Sequence, residues 1–122
     1  MKQITKQTAG RQIVVFDQVL ATIPAGVHIN ATEAKKRFTD GVVPAGTLLV
    51  PHTDGTYKPV NETFSDTNIA TAVGLTAEDI AIDDFPMVAV VLSGTARTEA
   101  LPDKEKAGVG FMKKVLPRIT FY

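Results

Sequence analysis

The sequence contains no cysteine and no tryptophan. The first absence excludes disulfide staples, thiolate zinc sites and a cysteine nucleophile. Net charge is missing too: 13 Lys and Arg balance 13 Asp and Glu, giving a formal charge of +0. No global field draws the chain to nucleic acid or to an anionic membrane, so neither is expected as a partner. No apolar run approaches the roughly 20 residues that a membrane-spanning helix needs. The opening MKQITKQTAGRQ is polar and lacks the apolar centre of a signal peptide, which makes the cytoplasm of the producing cell the expected compartment.

Catalytic and metal-binding patterns are equally scarce. His52 and Asp54 stand close together but His28 is remote, and two histidines with one scattered carboxylate lack the spacing of a metal motif. The acidic residues Glu78, Asp79, Asp83 and Asp84 lack the glycine and alternation of a calcium loop, and read as a solvated loop. Ser93-Gly94 is missing the preceding glycine of a nucleophile elbow. No phosphate-binding or dinucleotide glycine fingerprint is present. Lys113, Lys114 and Arg118 lie near Phe111, Phe121 and Tyr122, a mixture that can hold single strands. With balanced net charge, these aromatics read better as core or subunit packing. No cofactor, no metal and no enzymatic activity are expected. Two matches to the glycosylation pattern, Asn30-Ala31-Thr32 and Asn61-Glu62-Thr63, carry no weight without a leader.

What is present is a succession of short apolar runs separated by turns. At 122 residues, 44% hydrophobic and 21% charged, the chain has the size and composition of one folded domain with a modest core. Residues 1–12 read as a flexible N-terminal arm and 13–122 as a single β-rich domain. Strands are expected at Ile13 to Phe16, Val19 to Ile23 and Val27 to Ile29. From Asn30 to Phe38 a short helix is an alternative to a polar loop, with Asn30 or Thr32 as its cap, Glu33 in its first turn and Lys35, Lys36 and Arg37 in its last.

Ile23-Pro24-Ala25-Gly26 recurs as Val43-Pro44-Ala45-Gly46, one turn solution used twice before an apolar strand. Thr53-Asp54-Gly55-Thr56 is the clearest hairpin signal, joining Leu48 to Val50 with Tyr57 to Val60. Pro51 and Pro59 place these strands at an edge or limit their length. Ile69 to Leu75 resumes the sheet, with Gly74 marking a bulge or a close backbone approach. Thr76 is placed to cap one helical turn. Val88 to Leu92 is a continuous apolar run and reads as a central strand, broken by Ser93-Gly94 and resumed from Ala96. From Asp103 to Leu116 the spacing is helical. Ala107, Phe111 and Val115 share a face, Asp103 caps, Gly108 and Gly110 weaken the helix, and Pro117 stops it. The final Arg118 to Tyr122 has strand composition and is expected to be paired.

The fold class expected from this pattern is mainly β with minor helix. It is a small β-barrel or β-clip-like domain of short strands with one short C-terminal helix. Pro44, Gly46, Asp54, Gly55 and Gly74 are the expected structural turn residues. Val88, Val90, Leu92, Phe111, Phe121 and Tyr122 are expected in core or oligomer packing. The charge is unevenly spread: from Asn61 to Asp84 it is all acidic, and from Lys104 onward mostly basic, a pattern suited to complementary docking.

Four pieces in the middle of the chain, taken in their order and spacing, resemble a known family. They are Val43-Pro44-Ala45-Gly46-Thr47-Leu48-Leu49, the Asp54-Gly55-Thr56-Tyr57 turn, Thr71-Ala72-Val73-Gly74-Leu75 followed by Glu78-Asp79, and Val88-Ala89-Val90-Val91 leading to Leu101. The ending Leu116-Pro117-Arg118-Ile119-Thr120-Phe121 is similar as well. The family is the head decoration, or capsid-stabilising, proteins of tailed bacteriophages, lambda-type and related, including some head fibre proteins. The resemblance spans Gly41 to Pro102. It implies a small, mainly β virion protein that binds the capsid exterior as a homotrimer, with the phage major capsid protein as partner. Such a protein reinforces the shell and performs no catalysis. Its localisation is the virion, or the host cytoplasm during assembly from a phage or prophage. The resemblance further implies an N-terminal docking arm, here Ile4, Thr5, Lys6, Gln7 and Arg11, added as a strand to a capsid edge. The segment Ile13 to Asp40 is extra relative to the shortest family members, and would be a second capsid-binding element or part of a trimer contact. The alternative is a phage surface adhesin or head fibre module recognising glycans or the host surface. Its weakness is an aromatic content of only 7%.

Overall fold

The computed structural model describes residues 15–23, 26–53, 55–83 and 86–122. Among them the chain runs β1 (Phe16–Thr22), β2 (Val27–His28), α1 (Ala31–Arg37), β3 (Val42–Val43), β4 (Leu48–Pro51) and β5 (Tyr57–Pro59). It continues through β6 (Gly74–Thr76), β7 (Ile80–Ala81), β8 (Met87–Val88), β9 (Val90–Ala96), a 3-10 turn (Thr98–Ala100), α2 (Asp103–Ala107), α3 (Val109–Val115) and β10 (Ile119–Phe121). The fold is mainly β with minor helix, as the alternation of apolar runs and turns implies.

One sheet organises the rest. Its strand order is β1-β9-β6-β4-β5, with β10 pairing β9 alongside. All its pairings are antiparallel except β10 on β9. Two short ribbons, β2-β8 and β3-β7, complete the architecture. The run Leu48-Leu49-Val50 is buried at every position because both faces of the sheet are covered. Leu48 and Val50 enter one apolar cluster with Phe64, Ile69, Leu75, Val91, Met112 and Phe121. Leu49 points the other way, into a second cluster with Val27, Ile29, Ala34, Val43, Val88 and Val90. In β9 the period-two rule sends Val91 to the first cluster and Val90 and Leu92 to the second.

Several sequence expectations need correction. Ser93-Gly94 does not break the strand; β9 runs through to Ala96. Gly94 has φ +152° and its backbone lies against Gln18 O, so closely that a Cβ would collide with that carbonyl. Beyond it Ala96 joins the first cluster, so the strand exchanges faces there. The apolar run divides at its start instead: Met87–Val88 pairs with β2, and Ala89 separates it from β9. Ile69 lies among turns, although it is fully buried. Ala96 to Leu101 gives way to the 3-10 turn.

Thr76 caps no helix. It ends β6, with its hydroxyl donating to Pro44 O (2.9 Å) and accepting from Thr47 N (3.0 Å). Thr47 Oγ1 donates to the same carbonyl at 2.7 Å, and Asp79 Oδ1 accepts from Ala45 N at 2.6 Å. These bonds satisfy two fully buried hydroxyls and lock the Pro44-to-Thr47 turn onto β6.

The expected single C-terminal helix is two helices, broken at Gly108. A Cβ there would fall 2.6 Å from the Phe64 ring, so the close packing of the preceding loop admits only glycine at the break. Pro102, not Asp103, occupies the N-cap. The buried face is Glu105, Gly108, Met112 and Leu116, while Ala107 is exposed and Phe111 and Val115 are half-buried. At the N-terminal side, Asn30 caps α1 by accepting from Glu33 N at 3.0 Å.

Candidate interaction surface

Edge strand β1 has the burial profile of a surface element. Asp17, Gln18, Val19 and Leu20 are all exposed, although the Val19-to-Ile23 run is apolar enough to suggest burial. Val19 is 46% and Leu20 66% exposed. β1 ends the strand order, so among the described residues no strand pairs with its outer edge. The register with β9 slips between Phe16 and Gln18 and again between Val19 and Ala21. Asp17 and Leu20 are thus the extra residues of two bulges, which re-aim their side chains outward. Asp17 is held by Arg97, whose Nη2 lies 2.8 Å from Asp17 Oδ1. The same hydrogen-bonded carboxylate raises the guanidinium pKa above its ordinary value.

At the end of β1, Thr22 and the following Ile23 line a shallow groove with Met87 and Glu78. Met87 is 49% exposed, so the apolar surface extends past the strand. Tyr122 is another exposed aromatic, but its backbone is fixed. Its N–H donates to Ala96 O, and its carbonyl accepts from Thr98 N at 2.7 Å. A cleft of about 610 Å³ elsewhere is lined by Arg37, Phe38, Pro44, Leu101, Pro102 and Lys104 among others. The Arg37 guanidinium lies 4.7 Å from the Phe38 ring centroid. Among the described residues, no three His, Asp or Glu side chains come together as a metal site would require.

The sequence-selected residues fall in different places. Ile4, Thr5, Lys6, Gln7, Arg11 and Asp54 lie outside the described residues. Gly46 and Gly55 both have positive φ, +88° and +84°. Gly46 is buried against Leu101 and Val15, whereas Gly55 faces open space. Gly74 is a close approach rather than a left-handed turn, because a Cβ there would collide with Val91 O. Val88, Val90 and Phe121 are core; Leu92 and Phe111 are half-buried against it. Tyr122 is surface. The two Pro-Ala-Gly turns share a positive-φ glycine but close differently. Gly26 N donates to Ile23 O, and Gly46 N to Thr76 O.

One feature escaped sequence reasoning altogether. Glu105 is fully buried and its carboxylate is paired bidentately with Arg37. It also accepts from Leu48 N at 2.9 Å, while Arg37 Nη1 donates to Val60 O at 3.2 Å. The pair ties α1, α2 and β4 together. The available signal was the i, i+4 pair Met112 and Leu116: extending that face back along both helices reaches Glu105, not Ala107.

No helix among the described residues is long and apolar enough to cross a membrane. Compared with known proteins, the chain matches no protein-family model and no curated protein at a significant level.

Proposed function

We propose that this chain is a virion structural protein that binds the outside of a tailed-phage capsid as a homotrimer and stiffens the shell. The observation that carries the reading is β1. A firmly packed β domain holds two adjacent apolar side chains, Val19 and Leu20, out in solvent on an edge strand. Such exposed apolar positions, rimmed by polar neighbours, suit a protein–protein contact. β1 belongs to the segment by which the chain exceeds the shortest family members. The ordered resemblance from Gly41 to Pro102 supplies the family context. Residues 1–12 are the proposed docking segment, and three such segments on one trimer would act together through effective concentration.

The test is co-sedimentation with expanded, undecorated capsids of the encoding phage, comparing the full chain with one lacking residues 1–12. The expected result is saturable binding at fixed stoichiometry that the truncation weakens at least tenfold. Absence of binding by the full chain would refute decoration and redirect the search to the host surface.

A further inference from the structure

We propose that the cleft beside Arg37 is a ligand site that takes a carboxylate carried on a small apolar body. The cleft holds about 610 Å³, a volume within the range of small-molecule sites. The chemistry starts from the donors of Arg37. Of a guanidinium's five N–H groups, three are spent here. Nη1 donates to Glu105 Oε2 at 2.8 Å and to Val60 O at 3.2 Å, and Nη2 donates to Glu105 Oε1. Glu105 thus occupies the end-on pair of donors. The side-on pair, Nε–H with the second N–H of Nη2, has no hydrogen-bond partner among the described residues. Nε is not sealed off either, because no Arg37 nitrogen is both buried and unpartnered. A parallel N–H fork of this kind matches a carboxylate or a phosphate.

The side chain that carries this fork is held in place before any ligand arrives. It is almost wholly buried, its end-on edge is clamped by Glu105, and its Cζ lies 4.7 Å from the Phe38 ring centroid. A donor already fixed in position loses little further entropy on binding. Phe38, Pro44, Leu101 and Pro102 supply an apolar lining beside it. The charged residues of the same lining select the anion. Lys104 and Lys106 offset a second carboxylate brought near Glu105, whereas Glu99 and Asp103 oppose a higher negative charge. A monoanionic carboxylate therefore fits better than a phosphate dianion. Residues 1–14 contain no Asp or Glu, so this chain's own N-terminal segment has no side chain to offer the fork. The carboxylate comes from a free small acid or from an acidic side chain of another polypeptide, and the fork recognises the same group in both. The site does not rest on the capsid-decorating reading.

The test titrates the full-length chain with 3-phenylpropanoate, using the neutral 3-phenylpropanamide as a control of the same shape. Nuclear magnetic resonance follows the Arg37 Nε–H signal. The expected result is a saturable downfield shift of that proton with the acid, and binding at least tenfold weaker with the amide. Equal binding of acid and amide, or saturation without a shift at Arg37, would overturn the site. A second readout leaves Arg37 untouched. Asn61 is exposed on the cleft lining, so Asn61→Trp should fill the mouth, leave the urea midpoint unchanged and weaken the acid at least tenfold. An unchanged affinity in that variant would refute the location. A blocked tripeptide with a central glutamate, run beside the acid, separates the two sources. Tighter binding by the peptide assigns the site to a polypeptide partner, and tighter binding by the acid assigns it to a small molecule. Binding of neither probe refutes the proposal. None of these assays contains capsids, so their failure is separable from a failure of capsid binding.

Discussion

Glu105 is fully buried, and its carboxylate is committed to the Arg37 guanidinium and the Leu48 amide. The Arg37 side chain is only 5% exposed. Removing one partner strands the other charge in the core, at a cost of about 3–5 kcal/mol. Glu105→Ala should therefore lower the urea midpoint sharply, and Arg37→Met should do the same. The double variant Arg37→Met/Glu105→Leu should recover much of the loss, because it removes both desolvated charges. Equilibrium urea unfolding of the three variants checks this, and additive losses would contradict it. Gly74 gives a purely steric case. Its missing Cβ leaves room for Val91 O, so Gly74→Ala should cost about 1–3 kcal/mol by overpacking, with the slope of unfolding unchanged.

At the scale of elements, α2 and α3 separate two effects of glycine. Gly110 has open space where a Cβ would stand, so Gly110→Ala should stabilise by about 0.5–1 kcal/mol through helix propensity. Gly108→Ala should destabilise: Gly108 sits at the break between the helices, where no interior propensity is gained, and the Phe64 ring occupies the space its Cβ would need. Thermal unfolding of the two variants should move in opposite directions. Asn30→Ala removes the α1 cap and should cost about 1 kcal/mol. In that helix the Lys36 ammonium, hydrogen-bonded to Glu33, holds its carboxyl below the ordinary value. Any stability from this exposed pair is thus present at neutral pH and fades as pH falls through the carboxylate range.

Local patterns made the β4–β5 hairpin legible and narrowed the α1 cap to Asn30 or Thr32, because both are fixed by neighbours in sequence; the terminal strand showed in its composition, though its parallel partner β9 did not. The weakness at Gly108 was legible, but the full break and the Phe64 ring packed against it were not, Phe64 being far away in the chain. Nor was the outward turn of Val19 and Leu20, because bulges are a property of pairing with β9 and leave no mark on composition. The buried Glu105 was hidden for the same reason, its partner being Arg37.

For the molecule as a whole, the two apolar clusters on either side of one sheet make a firm body, and β9, paired along both edges, is its axis. Native-state hydrogen exchange should find the β9 amides the slowest and the outward-facing β1 amides among the fastest. The central claim is reinforcement, and the direct measurement is the rupture temperature of DNA-filled, undecorated capsids with increasing amounts of the full chain. The account predicts a rise that saturates at the same ratio of chain to capsid subunit as binding does. Saturated binding with no rise in rupture temperature would contradict it.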